Sequence, residues 1–278
     1  MLRKKLALVN SATYYTVMLV ICCAVAFPII WMVLMTIRTN AEVFRIPPRI
    51  IPERITLISY RRFFSSTILM YVFNSYFIGV ATTLVSLVVA IFAAYGLSRF
   101  RFRAKSGVNM FVVATQTIPP IALIIPYYVF IIRMGLFDTY LGLIVTYTSF
   151  CLPYCIIMLT GYFNTVSTEL DDAVKIDGGS RLTALWRVIV PVSVPGIAAT
   201  AVYSFLLTWN EFLFALSLVQ STARRTVPVG ITLFSGQNYV DWVMQMTMAF
   251  LTSIPVLIGY VLLQRYFVAG LSAGSVKG

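Results

Sequence analysis

Long apolar runs alternate with short polar stretches along almost the whole chain. A bilayer's hydrocarbon core, about 30 Å thick, takes ~20 helical residues to cross. The runs at about 14–37, 71–97, 108–132, 141–162, 196–219 and 242–264 are each long enough. They predict six transmembrane helices in a single domain over residues 1–278, an all-α polytopic membrane protein. The second run is longer than one span needs, because Phe63 to Ser98 holds no charge. Its helix is expected to begin near Tyr71 after an interfacial approach, with Asn74 and Ser75 bonding to a neighbouring helix. Pro119, Pro120 and Pro126 interrupt the third run. A proline-broken helix is tolerated in lipid where it is buried in protein or lines a cavity.

The polar stretches set the orientation. Arg3, Lys4 and Lys5 precede the first run, and Ala24-Val25-Ala26 imitates a signal-peptidase site. The apolar run continues through Pro28 to Ile37, too long for a cleaved signal core, so the first span reads as an uncleaved anchor with its N-terminus inside. Arg38 to Arg62, with Pro47, Pro48 and Pro52, reads as an extended external loop with a short helix near Leu57 to Phe64. Arg99, Arg101, Arg103 and Lys105 form a compact basic cluster, the strongest cytoplasmic signal in the chain. Gly135 to Thr139 makes a short outer turn and Thr222 to Asp241 a second outer loop. Six spans then place both termini and the segment 163–195 on the cytoplasmic side.

Composition agrees. Hydrophobic residues make up 60% of 278, charged ones 11%, and the mean hydropathy is +0.90, against about 25% charged in soluble domains. The net charge of +12 lies between apolar runs, where it orients spans, and forms no soluble face for nucleic acid. There is no His, which removes the usual proton shuttle and metal ligand. Cys22, Cys23, Cys151 and Cys155 all fall in apolar runs and read as packing residues. No nucleophile–base pair, metal-ligand set or GxxxxGK[ST] loop occurs, so the chain carries no catalytic residues and no cofactor, and is not an enzyme. Glu211, within Thr208-Trp209-Asn210-Glu211, is the only ionisable residue deep in an apolar run. A carboxylate there costs ~2.5–3.5 kcal/mol on insertion scales and is a functional candidate by default.

The most informative stretch is the polar segment Glu169 to Pro191. Thr168 with Asp171 three residues on suits a helix start, and Glu169, Asp171 and Asp172 fall in the first turn, where the helix dipole favours negative charge. Leu170, Ala173 and Val174 form a small apolar face. Gly178-Gly179 suits a left-handed helix end, which a bulky residue at Gly178 would prevent. Ser180 can start a second short helix carrying Leu182, Leu185, Trp186 and Ile189, which Pro191 interrupts.

With Asp172-Ala173-Val174, Asp177-Gly178 and Val188-Ile189-Val190-Pro191 in register, this segment resembles the cytoplasmic signature of the permease subunits of carbohydrate-class, maltose-type bacterial ABC importers. Gln116-x-x-Pro119, Pro126-Tyr127, the Gly135-Leu136-Phe137-Asp138-Thr139 turn and the ending Ser272-Ala273-Gly274-Ser275-Val276-Lys277-Gly278 are similar to the same family. Asp stands for Glu at 172, Val for Ala at 174, and Val for Ile and Leu at 188 and 190. The resemblance implies a type I importer permease fold in the bacterial inner membrane. It implies that Glu169, Asp171, Asp172, Ala173, Val174, Asp177, Gly178 and Pro191 form a coupling helix docking on a cytoplasmic ATPase. It places Ser272 to Gly278 against the ATPase pair, and Gln116, Pro119, Trp209, Asn210 and Glu211 along the substrate path or gate. The implied partners are a second permease subunit of different sequence, two ATPase copies that bind the ATP and Mg, an extracytoplasmic solute-binding protein and the lipid bilayer. The competing reading is a secondary transporter or channel without ATPase partners, for which one buried Glu is thin provision.

Overall fold

The computed structural model describes residues 2–236 and 239–275, with side chains described for 13–65, 67–236, 239–262 and 264. Apart from one isolated bridge between Ser235 and Val240, the regular structure among these residues is helical. The helices are α1 (Leu2–Thr36), α2 (Asn40–Val43), α3 (Ile58–Phe63), α4 (Ser66–Arg99), α5 (Lys105–Thr115), α6 (Ile124–Arg133), α7 (Tyr140–Phe163), α8 (Glu169–Ile176), α9 (Arg181–Ala184), α10 (Val190–Val192), α11 (Val194–Trp209), α12 (Leu213–Leu218), α13 (Val227–Thr232) and α14 (Trp242–Ser275).

Among the described residues, Thr13–Thr36, Thr67–Arg99, Tyr140–Phe163 and Trp242–Leu262 are each long and apolar enough to cross a membrane. Two bent pairs, Lys105–Thr115 with Pro120–Arg133 at 92° and Arg181–Val192 with Val194–Trp209 at 77°, bring the number to six if each is one span. The prolines of the third run explain the first bend. Pro119 is extended (φ −59°, ψ 129°), because a residue before proline is pushed out of the α region. The chain leaves α5 at Thr115 and resumes as a 3₁₀ turn, Pro120–Leu123, before α6. The second long helix begins at Ser66, earlier than Tyr71, because a break at Phe64–Ser65 ends α3 and frees the next residues to start a new helix. The fifth apolar run breaks at Asn210–Phe212 between α11 and α12.

The chain forms two compact units, Met1–Ser66 with Ile231–Ile254 and Thr67–Gly230 with Pro255–Gly278. In the first, Asp241 is the knot. Its Oδ1 accepts from Asn40 (2.9 Å) and from the Met244 N–H at the start of α14 (2.9 Å), and its Oδ2 pairs with Arg62 at 2.8 Å. The segment expected to be merely extended is tied down in the same way. Glu42 accepts the N–H groups of Glu53 and Arg54 (2.9 and 3.2 Å), and the Ser59 hydroxyl donates to the Thr36 carbonyl at 2.8 Å. The short helix α3 lies where Leu57 to Phe64 suggested.

The second unit is built on α4 and α7. Leu87, Ala90, Ile91, Ala94 and Tyr95 of α4 repeat at helical spacing and bury against Cys155, Leu159 and Phe163 of α7, with Val166, Leu185 and Ile189 closing the cluster. Toward the N-terminal end of α4, Ile78 joins Leu143 and Tyr147 of α7 and Phe214, Ala215 and Leu218 of α12 in a second cluster. Asn74 is fully buried and makes three hydrogen bonds. Its amide donates to the Ala223 and Arg225 carbonyls at 2.9 Å each, and its oxygen accepts from Tyr140 at 2.9 Å. Ser75 accepts the Val227 N–H at 2.8 Å. The turn before α7 is fixed by Asp138, whose Oδ1 accepts the Gln220 and Ser221 N–H groups at 3.0 Å each, while Arg224 pairs with its Oδ2 at 3.0 Å.

Candidate functional site

The polar segment between α7 and α11 is built from the residues up as a short helix clasped to the end of α4. The α8 helix starts without the predicted Thr168 cap. Thr168 is itself helical (φ −70°, ψ −18°) and makes no side-chain cap bond, and the Ser167 hydroxyl instead accepts the Glu169 N–H at 3.2 Å. The Thr168 carbonyl takes the N–H groups of Asp171 and Asp172 at 3.0 and 3.2 Å.

Asp171, one of the three first-turn acids, is set apart from Glu169 and Asp172 by its burial. It turns inward, its side chain only 7% exposed beside an Arg99 side chain at 6%. Its Oδ1 accepts from the Tyr95 hydroxyl at 2.6 Å, and its Oδ2 lies 2.8 Å from Arg99 Nε, an approach off-axis for a hydrogen bond. Arg99, the last residue of α4, also donates to the Phe163 and Val166 carbonyls at 3.0 Å each. Asp171 is the one buried residue of α8, and the buried Arg99 cation beside it supplies the neutralisation that a buried carboxylate requires. Sequence reading missed this clasp because its parts are far apart in the chain. The signal was present in Tyr95 and Arg99, one turn apart at the end of a charge-free run.

The other face of α8 is displayed. Glu169, Asp172, Ala173 and Asp177 are exposed, Val174 is half-buried, and Ile176 stands 86% exposed. Asp172 pairs with Lys175 at 2.7 Å, but both are largely exposed, and such surface pairs contribute little. The helix ends as predicted. Gly178 has φ +78°, its N–H bonds to the Lys175 carbonyl at 3.0 Å and the Gly179 N–H to the Val174 carbonyl at 2.8 Å. That pair of bonds is the Schellman pattern. A Cβ on Gly178 would meet nothing within 4 Å, so its constraint is conformational rather than steric. One on Gly179 would lie 2.5 Å from Val174 Cγ1 and 2.9 Å from the Val174 carbonyl oxygen.

Ser180 caps the next helix, accepting the Thr183 N–H at 3.2 Å. After α9 the backbone widens into a π-helical turn, Leu185–Ile189. Pro191 therefore does not interrupt the helix as expected. It lies inside α10, and the break falls at Ser193. A proline ring clashes with the carbonyl four residues back, and the widened turn accommodates it there. Trp186 packs edge-on to Phe92 of α4 at 5.7 Å, and the Arg181 guanidinium lies over the Phe100 ring at 4.4 Å.

The path candidates lie at the two other helix breaks. Gln116 is half-buried and Pro119 exposed in the turn between α5 and α6. Trp209 is buried against Tyr76 (4.8 Å) and Phe205 (5.7 Å), and Asn210 donates to the Leu206 carbonyl at 2.7 Å. Glu211 spends both oxygens on the start of α12, accepting from the Phe214 N–H at 2.8 Å and the Ala215 N–H at 3.1 Å. Among the described residues no hydrogen bond, ion pair or ring contact joins Gln116 or Pro119 to the 209–211 group. Ser272, Ala273, Gly274 and Ser275 continue the backbone of α14, and Val276, Lys277 and Gly278 lie outside the described residues. No group of three or more acids or cysteines is placed to hold a metal among the described residues.

Residues 86–272 match the family described as binding-protein-dependent transport system inner membrane component. The chain is 34% identical over 256 residues to the trehalose/maltose transport system permease protein of Thermococcus litoralis, covering 91% of each. It is 33% identical over 253 residues to the sulfoquinovosyl glycerol transport system permease protein of Agrobacterium fabrum, covering 91% of this chain and 89% of the relative. In fold it is similar to a chain in the crystal structure of a bacterial ABC transporter involved in the import of the acidic polysaccharide alginate, with TM-score 0.81 and 22% identity over 93% of this chain and 96% of that one. A polytopic helical chain with a clasped surface helix and no catalytic constellation, matched over two thirds of its length, belongs to the inner membrane components of binding-protein-dependent transport systems, the permease subunits of ABC importers.

Proposed function

We propose that this chain forms half of the translocation path for a sugar or sugar-like solute and couples it to a cytoplasmic ATPase through Glu169–Pro191. The observation that carries the reading is α8 itself. One face is bonded to the end of α4 through Asp171, Tyr95 and Arg99. The other presents Glu169, Asp172, Ala173, Val174 and Asp177 up to the left-handed turn at Gly178. A helix this short is marginal alone, and half its surface is left for a partner. Solutes of the sugar class are supported by the names of the relatives at 33–34% identity.

In this reading the chain crosses the membrane six times with both termini and the 163–195 segment in the cytoplasm. The fifth crossing runs from α11 through α12, since α11 alone has 16 residues and reaches only ~24 Å at 1.5 Å per residue. The partners are a second permease of different sequence, two ATPase copies that bind ATP and Mg, and an extracytoplasmic binding protein. Gln116, Pro119, Trp209, Asn210 and Glu211 sit at the path or its gate, and Ser272 to Gly278 reach the ATPase pair. ATP-driven closure of the ATPases draws the coupling helices together and opens the path outward, and hydrolysis returns it, a population shift between two states.

The test is gentle detergent purification of the chain from its native membranes, with mass spectrometry of what accompanies it. A second polytopic permease and a P-loop ATPase are expected, with the ATPase lost from a Gly178→Asp chain. Recovery of the chain alone, active in pH- or sodium-driven flux without ATP, refutes the proposal.

A further inference from the structure

We propose that Arg99, Asp171 and Tyr95 are positioning residues that make α8 and the end of α4 move as one body, so that displacement of α8 reaches the membrane-spanning part of the chain. The inference rests on α8 being the ATPase-coupling helix, and names the internal route by which its movement is delivered.

The chain between α7 and α8, Asn164–Thr168, has no regular structure. Left alone it is a hinge that would absorb any push on α8. Arg99 brackets it. One guanidinium nitrogen holds the Phe163 carbonyl before the hinge, the second holds the Val166 carbonyl within it, and Nε faces the Asp171 carboxylate beyond it. Tyr95, one turn back on α4, holds the other Asp171 oxygen. The planar fork of Arg donates to two carbonyls in fixed directions while its Nε edge faces the carboxylate as an ion pair, an arrangement that a Lys ammonium does not reproduce. Both charged side chains are withdrawn from water, so the pair is little screened by salt or solvent. Two ring contacts flank the clasp on α4 and just beyond it, Trp186 on Phe92 and Arg181 over Phe100. The segment after α8 therefore grips the same end of α4 that Arg99 ties to the segment before it. Among the described residues no comparable tie secures α8 to α4 through its outer face, where Asp172 bonds to Lys175.

The proposal separates charge from geometry. Arg99→Lys keeps the cation and loses the bracket, Asp171→Asn keeps the shape and loses the charge, and Tyr95→Phe removes one hydroxyl. Spin labels go on exposed positions of the two helices, Ile176→Cys on α8 and Val88→Cys on α4. The exposed Cys22 and Cys23 are replaced by Ser, while Cys151 and Cys155 are buried. The complex purified from membranes is measured by pulsed electron spin resonance without nucleotide and with MgATP plus orthovanadate.

In the parent chain the label separation is expected to stay a single narrow population in both states. In Arg99→Lys and Asp171→Asn a second, longer population appears with MgATP and vanadate, although the ATPase still co-purifies, and Tyr95→Phe shows the same in lesser amount. A parent whose labels separate on nucleotide, or variants that keep one unchanged population, overturns the proposal. So does loss of the ATPase from all three variants including Tyr95→Phe, since the residues would then serve assembly alone. A parent chain that brings down no ATPase is a different failure, refuting the coupling reading itself.

Discussion

The turn that ends α8 allows a test whose size follows from its geometry. Gly178 sits at φ +78° with nothing within 4 Å of a notional Cβ, so a side chain there is penalised by backbone conformation alone. For an ordinary L-residue the left-handed region costs about 1–2 kcal/mol, and Asn visits it more readily because its amide bonds locally. At Gly179 the order of causes is reversed. A Cβ would press to 2.5 Å on Val174 Cγ1 and 2.9 Å on its carbonyl oxygen, the same carbonyl that accepts the Gly179 N–H, so the bond and the methyl compete for one space. The assay is amide hydrogen exchange over 169–183 in the purified complex, read at the Gly179 N–H and its neighbours. Gly178→Ala should raise the opened population of the turn about 5–30-fold, the factor that 1–2 kcal/mol represents. Gly178→Asn should raise it less, and Gly179→Ala more than either. Unchanged exchange in Gly178→Ala, or Asn proving worse than Ala, would show that the positive φ is not what holds the turn. If Asn preserves the turn yet the ATPase is lost, the side chain itself meets the partner, and Gly178 serves docking as well as folding.

Three further outcomes follow from the packing. Arg99→Met leaves the Asp171 carboxylate buried without its cation and should cost about 3–5 kcal/mol, whereas the joint change Arg99→Met with Asp171→Leu removes the unpaired charge and should cost less, retaining only the loss of the bonds to the Phe163 and Val166 carbonyls and from Tyr95; thermal unfolding of the detergent-purified chain in a double-mutant cycle measures the difference. Asn74→Leu removes three hydrogen bonds, at about 1 kcal/mol each, and should lower the thermal midpoint while speeding exchange in the 223–227 segment. At Asp138 burial pushes the carboxyl up, but bonds from the Ser221 N–H and hydroxyl and the Gln220 N–H, with the Arg224 charge, outweigh it and hold the pKa below the ordinary 3.8. The stabilisation is therefore complete above pH 3.8 and lost as pH falls through the lower folded value; exchange at the Gln220 and Ser221 amides, corrected for intrinsic rates, should be flat from neutrality to about pH 4 and rise only below it.

Apolar runs made the membrane class legible from the sequence, because a span needs only length and absence of charge. The break at Pro119 and Pro120 was legible too, since Pro119 before Pro120 has few conformations open to it, whereas Pro126 does not interrupt the run and lies in the first turn of α6. Local rules located the end of α8 and the Ser180 cap, for each depends on residues within a turn or two. They failed at Thr168 and Pro191, where a neighbouring Ser167 and a π-helical turn supply alternatives that propensity does not encode. They failed most at Asp171. As a first-turn acid it is indistinguishable from Asp172 in the sequence, and only a cation at the end of α4 decides which of the two turns inward. Glu211 shows the same limit in reverse. Its depth in an apolar run marked it as functional, while the break that follows it, and the two N–H groups that break exposes, were not visible.

The use of carboxylates supports α8 as the partner surface. Of nine acidic residues, Glu42, Asp138, Glu211 and Asp241 accept backbone N–H groups at turns or helix starts, and Asp171 is spent on the clasp. The first four sit where a turn or helix start leaves backbone donors unpaired. Glu53 bonds to exposed Arg45 and Arg49. The remaining three, Glu169, Asp172 and Asp177, lie on or beside one short helix, exposed, with Lys175 as the one ion-pair partner among the described residues. A chain of net charge +12 that commits its few carboxylates elsewhere to its own backbone and side chains, yet leaves three together on or beside a helix fastened to a membrane span, displays an acidic face that its own packing does not require. A complementary basic cleft would use that face, and the clasp beneath it would carry the consequence into the membrane.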